Sequence, residues 1–205
     1  MSPIATAPRE RIGLLGGSFN PAHEGHLHIS KLALERLRLD RVWWLVSPQN
    51  PLKPVSGMDA LSTRLKNAKA MAAAEPLITV SDMESDLGTR YSADTVNALK
   101  QNYPDVLFVW IMGADLLKEI DRWKKWRALF RGIPIAIFAR PPYPLRALSS
   151  RAARRFAGAR IKAYRAGALA DLRPPAWAYL RTRRHPQSAT RIRARRKETT
   201  TAGRK

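Results

Sequence analysis

The chain contains no cysteine. Disulfides and thiolate-held metals are therefore excluded, and a reducing compartment suits it directly. No apolar run approaches the ~20 residues that a bilayer-spanning helix needs. The opening residues MSPIATAPRERIG lack the apolar core of a secretory leader. A soluble, cytoplasmic protein with no membrane partner is expected. Internal repeats are absent. Acidic residues are scarce, 16 Asp and Glu against 37 Lys and Arg, for a net charge of +21.

What is present is a globular composition, 45% hydrophobic over 205 residues, enough for one domain with a sizeable core. The positive charge is uneven. Residues 140–173 carry nine Lys/Arg and one Asp, and residues 181–205 carry ten and one Glu, so these stretches hold 17 of the 21 net charges. A basic C-terminal third fits a nucleic-acid partner, a phosphate-rich small substrate or a solvated tail. Single-stranded nucleic acid would call for interleaved aromatics. Residues 145–173 hold only Phe156 and Tyr164, and 181–205 hold none, so nucleic acid is not expected as the main partner.

Apolar runs at 11–17 (RIGLLGG), 41–48, 76–82, 105–115 (DVLFVWIMGAD) and 133–140 read as buried strands. Helical spacing is read between them over 25–39, 61–74, 91–103, with Ser92 as N-cap, and 121–130. Strands and helices alternate at intervals of about 30 residues, which predicts βαβ crossovers and a doubly wound parallel α/β sheet. Residues 146–170 are expected to be helical, 175–182 to form a last strand, and 188–197 a helix. The expected domain spans 1–197, with a core over 11–140 and a small C-terminal helical part, and 198–205 form a disordered tail.

Ligands of such sheets sit at the carboxyl ends of strands. Gly16-Gly17, Ser47–Lys53, Gly113–Asp115 and Arg140 all fall there. The stretch GGSFNPAHEGHLH (16–28) adds a hydroxyl and three imidazoles. Two glycines allow a sharp turn and close approach to a ligand, and a helix starting near Gly25 aims N–H groups at the same place. An anion is the natural occupant, with His23, His26 and Ser18 as donors. A plain turn after the strand is the bland alternative. A zinc site is disfavoured by the spacing and by the lack of accompanying carboxylates, and His28 is read as structural or surface.

GGSFNPAHEGH resembles the G-G-T-F-D-P-x-H-x-G-H signature of the HIGH-type nucleotidyltransferases, and Ser188-Ala189-Thr190-Arg191-Ile192-Arg193 resembles their S-[ST]-T-x-I-R, with Ala189 in place of a hydroxyl residue. Three further stretches point to one branch. GTRYSADTV (88–96) is similar to G-x-x-S-Y-T-x-D-T of nicotinate-nucleotide adenylyltransferases, with Arg90 and Ser92 for the usual Ser and Thr. IMGADLLKEIDRWKKWRAL (111–129) is similar to their I-[IM]-G-x-D-x-L…W-x-x-W, and FARPPYP (138–144) to [CV]-x-R-P-G-Y. The resemblance covers about 11–196.

That resemblance implies a Rossmann-like fold and the joining of ATP to nicotinate mononucleotide, a step of NAD synthesis. It implies contact of Gly16, Gly17, Ser18, His23, His26, Gly113, Asp115, Ser188, Thr190 and Arg193 with ATP. For the mononucleotide it implies Trp123 stacked on the pyridine ring, Tyr91, Ser92 and Thr95 around that ring, and Arg140 on the phosphate, with Lys53 a weaker phosphate candidate. Trp126 is expected in the core. A nucleophile–base pair is absent, so the substrate phosphate, already ionised, attacks directly and catalysis rests on positioning and charge. Magnesium is expected with ATP, bridging the leaving pyrophosphate, and no metal site belonging to the chain itself is expected. The amide mononucleotide, or both forms, stays an alternative substrate, and monomer and homo-oligomer are equally open.

Overall fold

A computed structural model describes residues 9–48, 57–139 and 146–182. Seven strands make one sheet, all parallel, in the order β3-β2-β1-β4-β5-β7-β6. The strands are β1 Arg11–Gly17, β2 Arg41–Val46, β3 Ile78–Ser81, β4 Leu107–Gly113, β5 Ile135–Ala139, β6 Arg160–Ile161 and β7 Trp177–Arg181. The helices are α1 Glu24–Leu37, α2 Leu61–Ala72, α3 Met83–Asp86, α4 Ser92–Asn102, α5 Ala114–Glu119, α6 Trp126–Gly132 and α7 Arg151–Arg155.

The expected doubly wound architecture is therefore present, and its two faces follow from strand alternation. On β4, Trp110 and Met112 join Leu14, Ile135, Ile137 and Trp177 in a core closed by α4 to α7. Val109 and Ile111 point the other way, with Leu15, Trp44, Ala136 and Phe138, into a core closed by α1, α2 and the 3₁₀ segment Ala163–Asp171. β1 leads to β2 on one side while β4 pairs it on the other. That reversal is the switch point, where the carboxyl ends of two neighbouring strands open a crevice.

Three local expectations are corrected. Residues 121–130 are not one helix: a 3₁₀ turn at Ile120–Arg122 ends, Lys125 takes φ +59°, and α6 starts only at Trp126. A left-handed residue interrupts helical hydrogen bonding whatever the apolar spacing says. Ser92 is the first residue of α4 rather than its cap; extended Tyr91 holds that position, without a side-chain cap bond. Residues 146–170 are short 3₁₀ and α turns around β6, which pairs with β7 at the sheet edge. Among the described residues no helix is long and apolar enough to cross a membrane.

Candidate active site at the carboxyl edge of β1 and β4

β1 and β4 pair through Leu15 and Ile111, and two residues further each ends in glycine, at Gly17 and Gly113. The loop after β1 and the start of α5, with exposed Asp115, thus leave the sheet side by side. Gly16 and Gly17 do not serve the turn as expected, since neither has positive φ; the left-handed residue is Phe19, at φ +45°. Gly16 is instead required by packing, because a Cβ there would lie 2.8 Å from Cη2 of buried Trp110. A bulky aromatic at φ > 0 is strained, and such strain concentrates where a loop is held for function.

Phe19 is buried and stacks between His26, at 4.6 Å, and Trp44, at 5.1 Å between ring centroids. His23 caps α1: its Nδ1 accepts from the Gly25 N–H at 3.0 Å, while the His26 Nδ1 accepts from the His23 N–H at 3.2 Å. The rings lie 3.9 Å apart, tilted by 38°. This reciprocal cap revises the expectation of an N-terminus that offers its backbone donors to an anion. The Gly25 N–H is bound by the His23 imidazole and the His26 N–H by the His23 carbonyl, so two of these donors are already taken. An Nδ1 that accepts cannot carry a proton, so each neutral ring presents Nε2–H. Ser18, the residue that follows β1, is buried as well.

The second cluster lies around the start of α4. The Lys124 Nζ sits 5.0 Å from the Tyr91 ring centroid, and the Lys125 Nζ contacts both Asp94 carboxylate oxygens at 2.8 and 3.0 Å. The Trp123–Lys125 turn is thereby tied to Tyr91 and Asp94, which brings two of the expected ring-binding elements together. Trp123 is half-buried against the core, whereas Trp126 packs inside it, edge-on to Phe130 and Phe156, as expected. Thr95 departs from its expected place. It is fully buried, with its hydroxyl 2.9 Å from that of Thr89 and 3.4 Å from Glu84 Oε1. It underpins this segment rather than lining its surface.

Sequence reasoning passed over two buried charged residues. Glu84 on α3 bonds Ser47 and Thr95, and burial pushes its carboxyl above the ordinary 4.5, against the opposing effect of those two hydrogen bonds. Arg64 on α2 is 1% exposed and bonds four backbone carbonyls. Neither stood out, because each sits in a stretch that reads as a polar surface. Lys53, Arg140, Ser188, Thr190 and Arg193, with the expected 188–197 helix and 198–205 tail, lie outside the described residues. Among the described residues no three His, Asp or Glu side chains converge to hold a metal.

Glu84 gives a pH-dependent expectation. A carboxyl with a raised folded-state pKa stabilises the fold fully below its unfolded pKa, and that contribution is lost as pH rises through the folded value. Glu84→Gln removes the titration. The melting temperature of the unmodified chain relative to the variant should therefore fall as the pH rises above about 4.5. A difference independent of pH would refute the buried-carboxyl account.

Residues 14–195 match the cytidylyltransferase-like family. A protein of Parvibaculum lavamentivorans described as "Probable nicotinate-nucleotide adenylyltransferase" is 50% identical over 188 residues, 92% of this chain and 93% of its own. One of Methylorubrum extorquens with the same description is 50% identical over 185 residues, 90% of this chain and 100% of its own. The chain belongs to the nicotinate-nucleotide adenylyltransferase family. Its fold is shared with the Plasmodium falciparum nicotinic acid mononucleotide adenylyltransferase complexed with NaAD, at TM-score 0.65 and 16% identity over 90% of this chain and 83% of that one. Members of this family must position two phosphate-bearing substrates at once, which suits a site split between the β1–α1 loop and the start of α4.

Proposed function

We propose that this chain joins ATP and nicotinate mononucleotide to give nicotinate adenine dinucleotide and pyrophosphate. The observation that carries this reading is the 50% identity to nicotinate-nucleotide adenylyltransferases over nine-tenths of the chain. The histidine cap at the switch point supports it. In the reaction a phosphate oxygen of the mononucleotide attacks the α-phosphorus of ATP. A new P–O bond forms as the bond to the β-phosphate bridging oxygen breaks, and the electron pair leaves with pyrophosphate.

His26, His23 and Ser18 act at the α-phosphate, where donors held in place in advance stabilise charge that grows in the transition state. Their neutral Nε2–H groups suit that task, since the attacking phosphate carries its own nucleophilic oxygen and needs no base. Gly16 and Gly17 form the floor of this cradle, and Gly113 and Asp115 face the ribose from β4 and α5. Ser188, Thr190 and Arg193 take the β- and γ-phosphates. On the other side Trp123 stacks on the pyridine ring beside Tyr91 and Ser92, and Arg140 grips the mononucleotide phosphate with help from Lys53. Both halves belong to one domain in the cytoplasm.

The test compares pyrophosphate release with the acid and the amide mononucleotide at equal concentrations. Preference for the acid is the expected result. Preference for the amide would replace the substrate while leaving the chemistry intact, and no turnover of either would reject the reading.

A further inference from the structure

We propose that Arg64 is a positioning residue for the reaction, fixing the phosphate cradle after β1 against the loop that leaves β2. Its Nη1 donates to the Ser18 carbonyl at 2.7 Å and the Ser47 carbonyl at 2.8 Å. Nη2 donates to the Pro48 carbonyl at 2.8 Å, and Nε to the Asp59 carbonyl at 2.9 Å. One planar group therefore ties Ser18, in the cradle, to the end of β2 and to the segment entering α2. Asn20 adds a parallel tie, its Nδ2 donating to the Gly57 carbonyl at 3.1 Å.

A buried guanidinium is costly, and apolar residues of similar size would fill the space at no such cost. What only the guanidinium offers here is a rigid fork that fixes several acceptors in one plane. Lysine has three donors on a flexible stem and cannot hold four carbonyls. The clamp also reaches the second cluster, because Ser47 bonds Glu84, which bonds Thr95 beneath the Tyr91–Asp94 turn. Arg64 is 1% exposed, and all its described bonds go to backbone carbonyls. It acts through the Ser18 backbone, and the proposal rests on the functional reading above.

The experiment uses Arg64→Ala and Arg64→Lys in the full chain. Folding is checked by circular dichroism, kcat by pyrophosphate release, and loop order by amide hydrogen exchange. Arg64→Ala should lose ~10–100-fold in kcat, the scale for misplaced reacting groups, with faster exchange over 18–20 and at Ser47. Millimolar guanidinium should restore part of that kcat, and methylammonium at equal ionic strength should not. Arg64→Lys should fall between the two and carries the test if Arg64→Ala does not fold. A folded Arg64→Lys with unchanged kcat and unchanged exchange overturns the proposal, as does a kcat loss in folded Arg64→Ala that guanidinium leaves untouched. Absence of turnover in the unmodified chain would instead strike the functional reading, while loop exchange still reports on the clamp.

Discussion

His26→Ala is expected to lower kcat by at least ~10²-fold, the usual loss when one donor held in place for the transition state is removed, in a protein that remains folded. The His26 ring does two separable things. Its Nδ1 accepts from the His23 N–H and so closes the cap on α1, while its Nε2–H is the group proposed to act at the α-phosphate. Loss of the cap alone costs about 1 kcal/mol of stability. Asparagine places an acceptor near the Nδ1 position and glutamine places a donor near Nε2. His26→Asn should therefore recover stability without rate, and His26→Gln some rate without the cap. Steady-state kinetics and thermal melts of the three variants check this, and turnover in His26→Ala matching the unmodified protein would remove histidine from the mechanism.

Trp123→Ala is expected to weaken nicotinate mononucleotide binding by ~1–3 kcal/mol, the range for loss of a stacked base, and to leave ATP affinity nearly unchanged. The backbone at this turn is held independently of the indole, since the Trp123 N–H donates to Ile120 and its carbonyl accepts from Trp126. Alanine can follow the same path. Trp126→Ala is the contrasting control: that ring is buried among Phe130 and Phe156, so its removal should cost ~3–5 kcal/mol of stability. Calorimetric titration of each variant with each substrate separates the two roles. Equal loss of both affinities in Trp123→Ala would make Trp123 a packing residue.

The parts of the molecule legible in the sequence are those where one residue pattern has one structural outcome. Runs such as LFVWIMG are buried on both faces, so β1 and β4 could be placed with their glycine ends. The three-residue interval between His23 and His26 likewise fixes a shared position across the first turn of α1. Elsewhere the determining interaction is distant in sequence. The Trp123–Lys125 turn depends on a left-handed Lys125 held by Asp94, 31 residues away. Gly16 reads as a loop glycine, yet its constraint comes from the Trp110 indole on the neighbouring strand. Arg64 and Glu84 are charged residues whose burial is decided by carbonyls and hydroxyls brought in from other loops, and local polarity points the opposite way. Thr95 lies in a segment whose resemblance implies ring contact, whereas helical geometry turns its side chain inward.

The pairing of β5 with β7 bears on how this chain can drift. The Thr182 N–H and hydroxyl both donate to the Ala139 carbonyl, each at 3.1 Å. Arg140 and the segment holding Ser188, Thr190 and Arg193 thus set out from two hydrogen-bonded neighbours, although more than forty residues separate them in sequence. Their launching points are fixed by the strand pair and not by what lies between. Residues 146–173 send Phe156 and Leu169 into the two cores, while all eight of their Lys and Arg side chains are exposed. That exposed charge lies outside the packing that holds the strand pair, so it can change without moving Ala139 or Thr182.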